Sequence, residues 1–259
     1  MHSSWSLVER AFTIETIMTP RTQWLYWDGK ESLELLWGRI ASERIDTVPV
    51  IENDQVIGLL RQGQDGIIPL TEDWLIKHDT PISQALQRFA LGTESILLVR
   101  HSQGIDIGIV TPADFNKPPA RTLIFTLLSE LEMLIASFIG DYFRGRQQEI
   151  LKSIDPLNKI KIEEAIAKME QEDIEIEIIH LLYLSDMVNI IGAESKLRKR
   201  INVSELTSKK KTEKTLNGLV HLRNDVAHPI NLMVGKDRNI QKLDEQLHRV
   251  VSLLDQMHS

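Results

Sequence analysis

Two residues late in the chain, Arg223 and His228, have the types and spacing of a phosphate-handling pair. They stand in LVHLRNDVAHP (219–229), with Asn224 directly after the arginine. A guanidinium is permanently charged and can donate to two phosphate oxygens at once, while an imidazole can carry a proton to or from a reacting oxygen. On an ideal helix with Leu216 at zero, Leu219, Val220, Val226 and Ala227 fall within about 80°, and Arg223 falls at about −20°, inside that apolar stripe. Asn224 and His228 fall at about 80° and 120°, just beside it. An unpaired charge inside a core is very costly, so Arg223 must have a partner or face something other than its own core. Pro229 disfavours helix at the preceding residue, so the helix is expected to stop at His228. The C-terminal end of a helix dipole favours a proton-carrying imidazole there.

The elements that must position this pair are helical. After NKPPA (116–120), a proline punctuation that reads as a domain boundary, the apolar spacing predicts helices over 121–148, 158–172, 174–192, 212–228 and 237–257. Asp186, in a segment apolar nearly all round, and Glu130, at the edge of the first helix's stripe, are candidate carboxylates for orienting Arg223. Each reads first as a buried, satisfied hydrogen-bonding group without catalytic consequence. The motif itself has a plain alternative, a helix end in which Arg223 pairs with an acid and His228 caps. Between the last two helices but one, KLRKRINVSELTSKKKTEK (196–214) carries eight basic and two acidic residues. It reads either as a footprint for phosphates or as a solvated, flexible connection between helices.

Bulk composition narrows the chemistry. Zero cysteines among 259 residues exclude disulfides, thiol nucleophiles, iron–sulfur clusters and Cys-type zinc sites. The histidines lack ligand spacing, so no metal is assigned. A net charge of −7 argues against a protein that coats nucleic acid along its whole surface. Residues 1–118 hold 10 Lys and Arg against 16 Asp and Glu, whereas 119–259 hold 20 against 21. No run approaches 18 apolar residues and the start lacks the pattern of a signal peptide, so a cytoplasmic protein with no membrane partner is expected.

Residues 1–118 have a different period. DTVPVIEND with QVIGLLR, and SILLVRHSQG with IDIGIVT, each read as two strands joined by a turn, at Glu52–Asp54 and Ser102–Gly104. An amphipathic helix precedes each pair, at 32–45 and 81–92, giving an internal repeat of about 60 residues. The second copy ends in GIVTPADF (108–115), where Thr111 and Asp114 can hold a phosphate and a ribose diol. The same two residues can instead cap a short helix. The first copy has Arg61 and Gln64 at the corresponding places.

The fold class expected is therefore α+β: an α/β repeat domain over 1–118 followed by an all-α bundle over 119–259. MTP (18–20), DTVPVIENDQVIGLL (46–60) and GIVTPADF make the first domain resemble the CBS domain pair. That resemblance implies a cleft between the repeats that senses an adenine nucleotide, with Thr111 and Asp114 as ribose and phosphate residues and the first-repeat site altered. LRNDVAHP makes the second domain resemble the HEPN superfamily of helical domains with an Arg-x4-His motif. That resemblance implies a homodimeric, metal-independent endoribonuclease leaving 2',3'-cyclic phosphate ends and needing no catalytic cofactor. Arg223, His228 and Asn224 would be its catalytic residues, in a stress, toxin–antitoxin or defence role, with an inhibitory protein as a further candidate partner. The competing expectation is a non-catalytic regulatory dimer that binds RNA or protein, with the CBS pair as its dimeriser.

Overall fold

The computed structural model describes residues 4–43, 45–102, 104–235 and 239–258. Nine α-helices run through them: α1 Ser4–Ala11, α2 Leu33–Ile40, α3 Ile82–Leu91, α4 Pro118–Tyr142, α5 Pro156–Gln171, α6 Leu184–Ala193, α7 Ser195–Ile201, α8 Lys209–Ala227 and α9 Ile240–His258. The strands are β1 Thr19–Pro20, β2 Thr47–Glu52, β3 Gln55–Arg61, β4 Ile68–Pro69, β5 Leu75–Lys77, β6 Leu97–Arg100 and β7 Asp106–Val110. The architecture is α+β, with every one of these strands before residue 111 and helices after it. Two compact units result: 1–123 with 233–244, and 124–232 with 245–259.

The first unit contains the repeat. β2 and β3 form a hairpin whose turn, Asn53–Asp54, has both residues at positive φ (47° and 64°), the twist a two-residue hairpin turn requires. β6 and β7 form the second hairpin, closed by His101, which accepts from the Gly104 amide and donates its own amide to Ile105. Gln103, within the second expected turn, lies outside the described residues, as does Arg44 within the expected helix 32–45. That helix is shorter than its apolar pattern, ending at Ile40 and continuing as one 3-10 turn, Ala41–Glu43.

The two copies are completed alike. A parallel partner reaches the first hairpin strand of each: Trp27 bridges Val50 in one, and β5 pairs with β6 in the other. A short strand then closes the second hairpin strand, placing Pro69 opposite Gly58 and Pro20 opposite Gly108. Both glycines are needed for this approach. A methyl group on Gly58 would lie 2.6 Å from the Ile68 carbonyl oxygen, and one on Gly108 would lie 2.9 Å from that of Thr19. The sheets are thus β2-β3-β4 and β1-β7-β6-β5. Leu36 and Ile40 of α2 pack on Val48, Val50 and Leu60, while Phe89 of α3 meets Phe115 edge-on at 6.0 Å.

In the second unit, α6 is buried nearly all round, as its composition implies, and packs against the buried face of α8. The expected helix 174–192 is shorter: a 3-10 turn at Ile178–Leu181 precedes α6, whose amino end Asp186 caps. Residues 196–214 are not a loose connection. They form α7, a left-handed cap at Asn202 (φ 54°), one 3-10 turn at Ser204–Leu206 and the start of α8. Residues 237 and 238, at the start of the last expected helix, lie outside the described residues.

α4 is by length and composition long and apolar enough to cross a membrane, with a window of mean hydropathy 1.8. Scanning for an uninterrupted apolar run missed it because Thr122, Thr126, Ser129, Glu130 and Glu132 punctuate the helix. In the fold its Leu127, Leu131, Ile135 and Ile139 are buried in the second unit.

Candidate functional site

The end of α8 sets the first site. Its buried positions are Thr212, Thr215, Leu216, Leu219, Leu222 and Val226. On the wheel used above, these centre at about −70°, so Arg223 lies roughly 50° from the centre rather than in the middle of the buried face. Leu222, not Val220, completes the stripe. The puzzle of a charge in a core is resolved by rotation: Arg223 sits on the margin, with its side chain 34% exposed.

Its carboxylate partner is Glu132 of α4, whose Oε1 accepts from the Arg223 Nε at 3.3 Å. The pairing uses one edge of the guanidinium through Nε. Sequence reading missed Glu132 and named Glu130, which is half-buried two residues earlier on the same helix. Asp186 has another task. It is fully buried, accepts from the Asn158 side-chain amide at 3.0 Å and from the Tyr183 backbone amide at 3.1 Å, and so caps α6.

His228 is the C-cap of α8, with extended backbone (φ −105°, ψ 106°) and its amide donating to the Asn224 carbonyl at 3.1 Å. The helix ends where Pro229 implies. Asn224 and His228 are both exposed, and Asn224 lies between Arg223 and His228 on the wheel. The loop beyond is tied back by the Asn231 amide donating to Asp225 at 3.3 Å and its backbone donating to the His228 carbonyl at 2.9 Å.

The second site is a cleft of about 410 Å³ in the first unit. Hydroxyls of Thr19, Thr47, Ser95 and Thr111 line it, with Trp24 and Ile109 among its apolar walls and Glu43 and Asp46 as its charged groups. The indole N–H of Trp24 is buried and finds no acceptor among the described residues. Thr111 faces the cleft; Asp114 is 6% exposed and is not among its lining residues. The Asp114 carboxylate is already engaged. Its Oδ2 accepts from the Thr111 amide at 2.6 Å and hydroxyl at 2.9 Å, and its Oδ1 pairs with Lys117 at 2.7 Å. The capping arrangement is therefore present, and it holds the Thr111 hydroxyl in place. Lys117, unremarked in the sequence, also donates to the Ile17 carbonyl at 2.6 Å and the Thr19 hydroxyl at 3.3 Å.

In the first repeat, Arg61 takes the place of Thr111. Its guanidinium lies 5.9 Å from the Trp74 ring centre and donates to the hydroxyls of Thr47 and Ser95, each at 3.4 Å. Long, weak bonds like these position the two hydroxyls from behind the cleft wall. The signal for this was visible as the departure from Thr at that position, but not its target.

No protein-family model matches the sequence, and no curated protein matches it. Solved structures similar to the chain include the CBS domains of a transcriptional regulator from Streptococcus pneumoniae, at 19% identity over 39% of this chain and 92% of that one, TM-score 0.34. The CBS domain of the bacterial CNNM/CorC family Mg2+ transporter in complex with ATP shows 19% identity over 42% of this chain and 88% of that one, TM-score 0.35. CBSX2 in complex with AMP shows 16% identity over 40% and 92%, TM-score 0.34.

Proposed function

We propose that the chain is an adenine-nucleotide-regulated, metal-independent endoribonuclease, made of a CBS pair over 1–118 and a HEPN-type bundle over 119–259 and acting as a homodimer. The observation that carries the catalytic half is the polar edge at the end of α8, where half-exposed Arg223 and exposed Asn224 and His228 stand at a helix terminus. The RNA 2'-hydroxyl attacks the adjacent phosphorus, so an O2'–P bond forms and the P–O5' bond breaks, leaving a 2',3'-cyclic phosphate. Arg223 stabilises the anionic phosphate as charge builds on it. His228 takes the 2'-hydroxyl proton in one copy and supplies the proton to O5' from the other. Asn224 orients the phosphate or the imidazole between them. DNA lacks the nucleophile.

The internal repeat and the cleft support the regulatory half. A cleft of about 410 Å³ is within the range of small-ligand sites. Its hydroxyls suit a ribose and its indole wall suits a base. Carboxylates rather than cations are its charged lining, so it favours a nucleoside with few phosphates, AMP over ATP. The nucleotide regulates only by binding one arrangement of the dimer better than another. The Arg223–Glu132 pair also favours a second reading, in which the bundle binds RNA without cleaving it and the arginine is held for structure.

Cleavage of end-labelled RNA in EDTA, with and without AMP, tests this directly. Wild type is expected to cleave and to leave cyclic phosphate ends, with Arg223→Ala and His228→Ala inactive. Wild type inert under both conditions refutes the nuclease, and active variants refute the site.

A further inference from the structure

We propose that α7 and the first turn of α8 form the surface that holds the phosphate backbone of the RNA strand; this rests on RNA being the ligand of the helical unit. The run 196–214 is not distributed around the unit. Its two basic segments meet at the end of α6. Arg198 of α7 donates through Nη1 to the Ile191 and Gly192 carbonyls at 2.7 and 2.6 Å, and a methyl group on Gly192 would touch the Lys209 side chain at 3.8 Å. Arg198 and Lys209 therefore both stand beside that end.

The charge there is not neutralised from within. Among the described residues, no acidic side chain pairs with Lys196, Lys199, Arg200, Lys210, Lys211 or Lys214, all exposed. Of the two acids in the run, Glu213 lies 3.8 Å from Lys209, a loose contact. Glu205 accepts instead from the Ser204 hydroxyl and the Gln256 amide, turning its carboxylate toward α9. The hydrogen bond from Ser204 holds its pKa below the ordinary 4.5.

The placement also runs against the helix dipole. Lys209, Lys210 and Lys211 occupy the first turn of α8, which has no acidic residue, and the amino end of a helix already carries positive partial charge. An anion laid across this turn relieves that repulsion, with the exposed cations of α7 available to the rest of a longer strand. The apolar members of the segment, Leu197, Ile201, Val203 and Leu206, are all buried. No apolar side chain is left to enter a bilayer, so the surface fits a polyphosphate strand rather than a membrane.

The test is fluorescence anisotropy with a labelled 20-nucleotide single-stranded RNA and the full-length His228→Ala protein, so that cleavage cannot consume the probe. With about six phosphates contacted, affinity is expected to fall about 300-fold between 50 and 200 mM salt. In the Lys209→Gln/Lys210→Gln/Lys211→Gln protein the same salt change should cost only about 20-fold. A control pair on α5, Lys161→Gln/Lys168→Gln, should leave the salt dependence unchanged, and circular dichroism checks that each variant is folded. An unchanged salt slope in the triple variant, or an equal change in the α5 control, overturns the proposal. So does binding to phosphatidylserine vesicles without binding to the oligonucleotide. Failure of the nuclease reading looks different: wild type binds with this salt dependence yet leaves the RNA intact.

Discussion

The cleft of the first unit and the helix edge of the second differ in kind. The cleft is concave and its groups are held from behind, Thr111 by Asp114, Thr19 by Lys117, and Thr47 and Ser95 by Arg61. A single chain supplies the whole of it. The edge on α8 is convex: Asn224 and His228 are exposed, and about 140° of helix separates Arg223 from His228. A convex row of side chains cannot surround a phosphate by itself. One chain thus builds the whole of a small-ligand cleft, whereas the chemistry proposed for α8 would need a second surface, for which a second copy is the economical source.

The largest effect that would sharpen this contrast is catalytic. Arg223→Ala and His228→Ala should each lower RNA cleavage about 1000-fold. Co-expression of the two should return no activity, because the proposed centre uses His228 of both copies and the mixed dimer keeps only one. Recovery to about a quarter of wild type would show instead that each centre combines Arg223 of one copy with His228 of the other.

Next in size is a stability effect with no catalytic signature. Asp186→Ala removes a fully buried acceptor from two donors and should cost about 3 kcal/mol in urea denaturation. Under conditions where the variant remains folded, cleavage should match wild type, and a loss there would promote Asp186 from cap to catalytic support.

Glu132→Gln should separate positioning from stability. The pair is partly exposed, so stability should change by less than about 1 kcal/mol. Cleavage should drop about tenfold in kcat as Arg223 loses its anchor. An unchanged kcat would make the pair purely structural.

In the cleft, Lys117→Met removes the donor that holds the Thr19 hydroxyl and should lower adenosine affinity about fivefold by calorimetry, at one nucleoside per chain. Unchanged binding would mean that the Thr19 hydroxyl does not meet the ligand, and two nucleosides per chain would show that Arg61 does not close the first-repeat site.

The smallest effect is acid sensitivity near the basic surface. The hydrogen bond from Ser204, more than those from its own backbone and Gln256, holds Glu205 below its ordinary pKa of 4.5. Its stabilising contribution is therefore complete above about pH 4.5 and is lost as pH falls through the lower folded value. Melting curves of wild type and Glu205→Gln should differ slightly at neutral pH and converge in acid; a constant gap would assign the effect to packing.

Much of the architecture was legible because its signals are local. Alternating strands and the Asn53–Asp54 turn are read within a few residues, and Pro229 ends α8 at its predicted place. The basic run was legible as charge but not as structure, since a Lys-rich segment reads equally as helix or loop until Leu197, Ile201 and Leu206 find a core. The partner of Arg223 was not legible. Glu130 and Glu132 are about 200° apart on their helix, and the periodicity of α4 alone does not determine which of them reaches α8.

By itself the sequence determined the repeat, the change from strand to helix after residue 118 and the end of α8. These depend on intrinsic geometry: strand and helix periods and the restriction proline places on the residue before it. The tertiary structure decided how far α8 is rotated, which carboxylate meets Arg223, and that Lys117 and Arg61 brace the cleft. Those outcomes depend on contacts between residues 14 to 100 positions apart, whose energies come from packing and cannot be read along the chain.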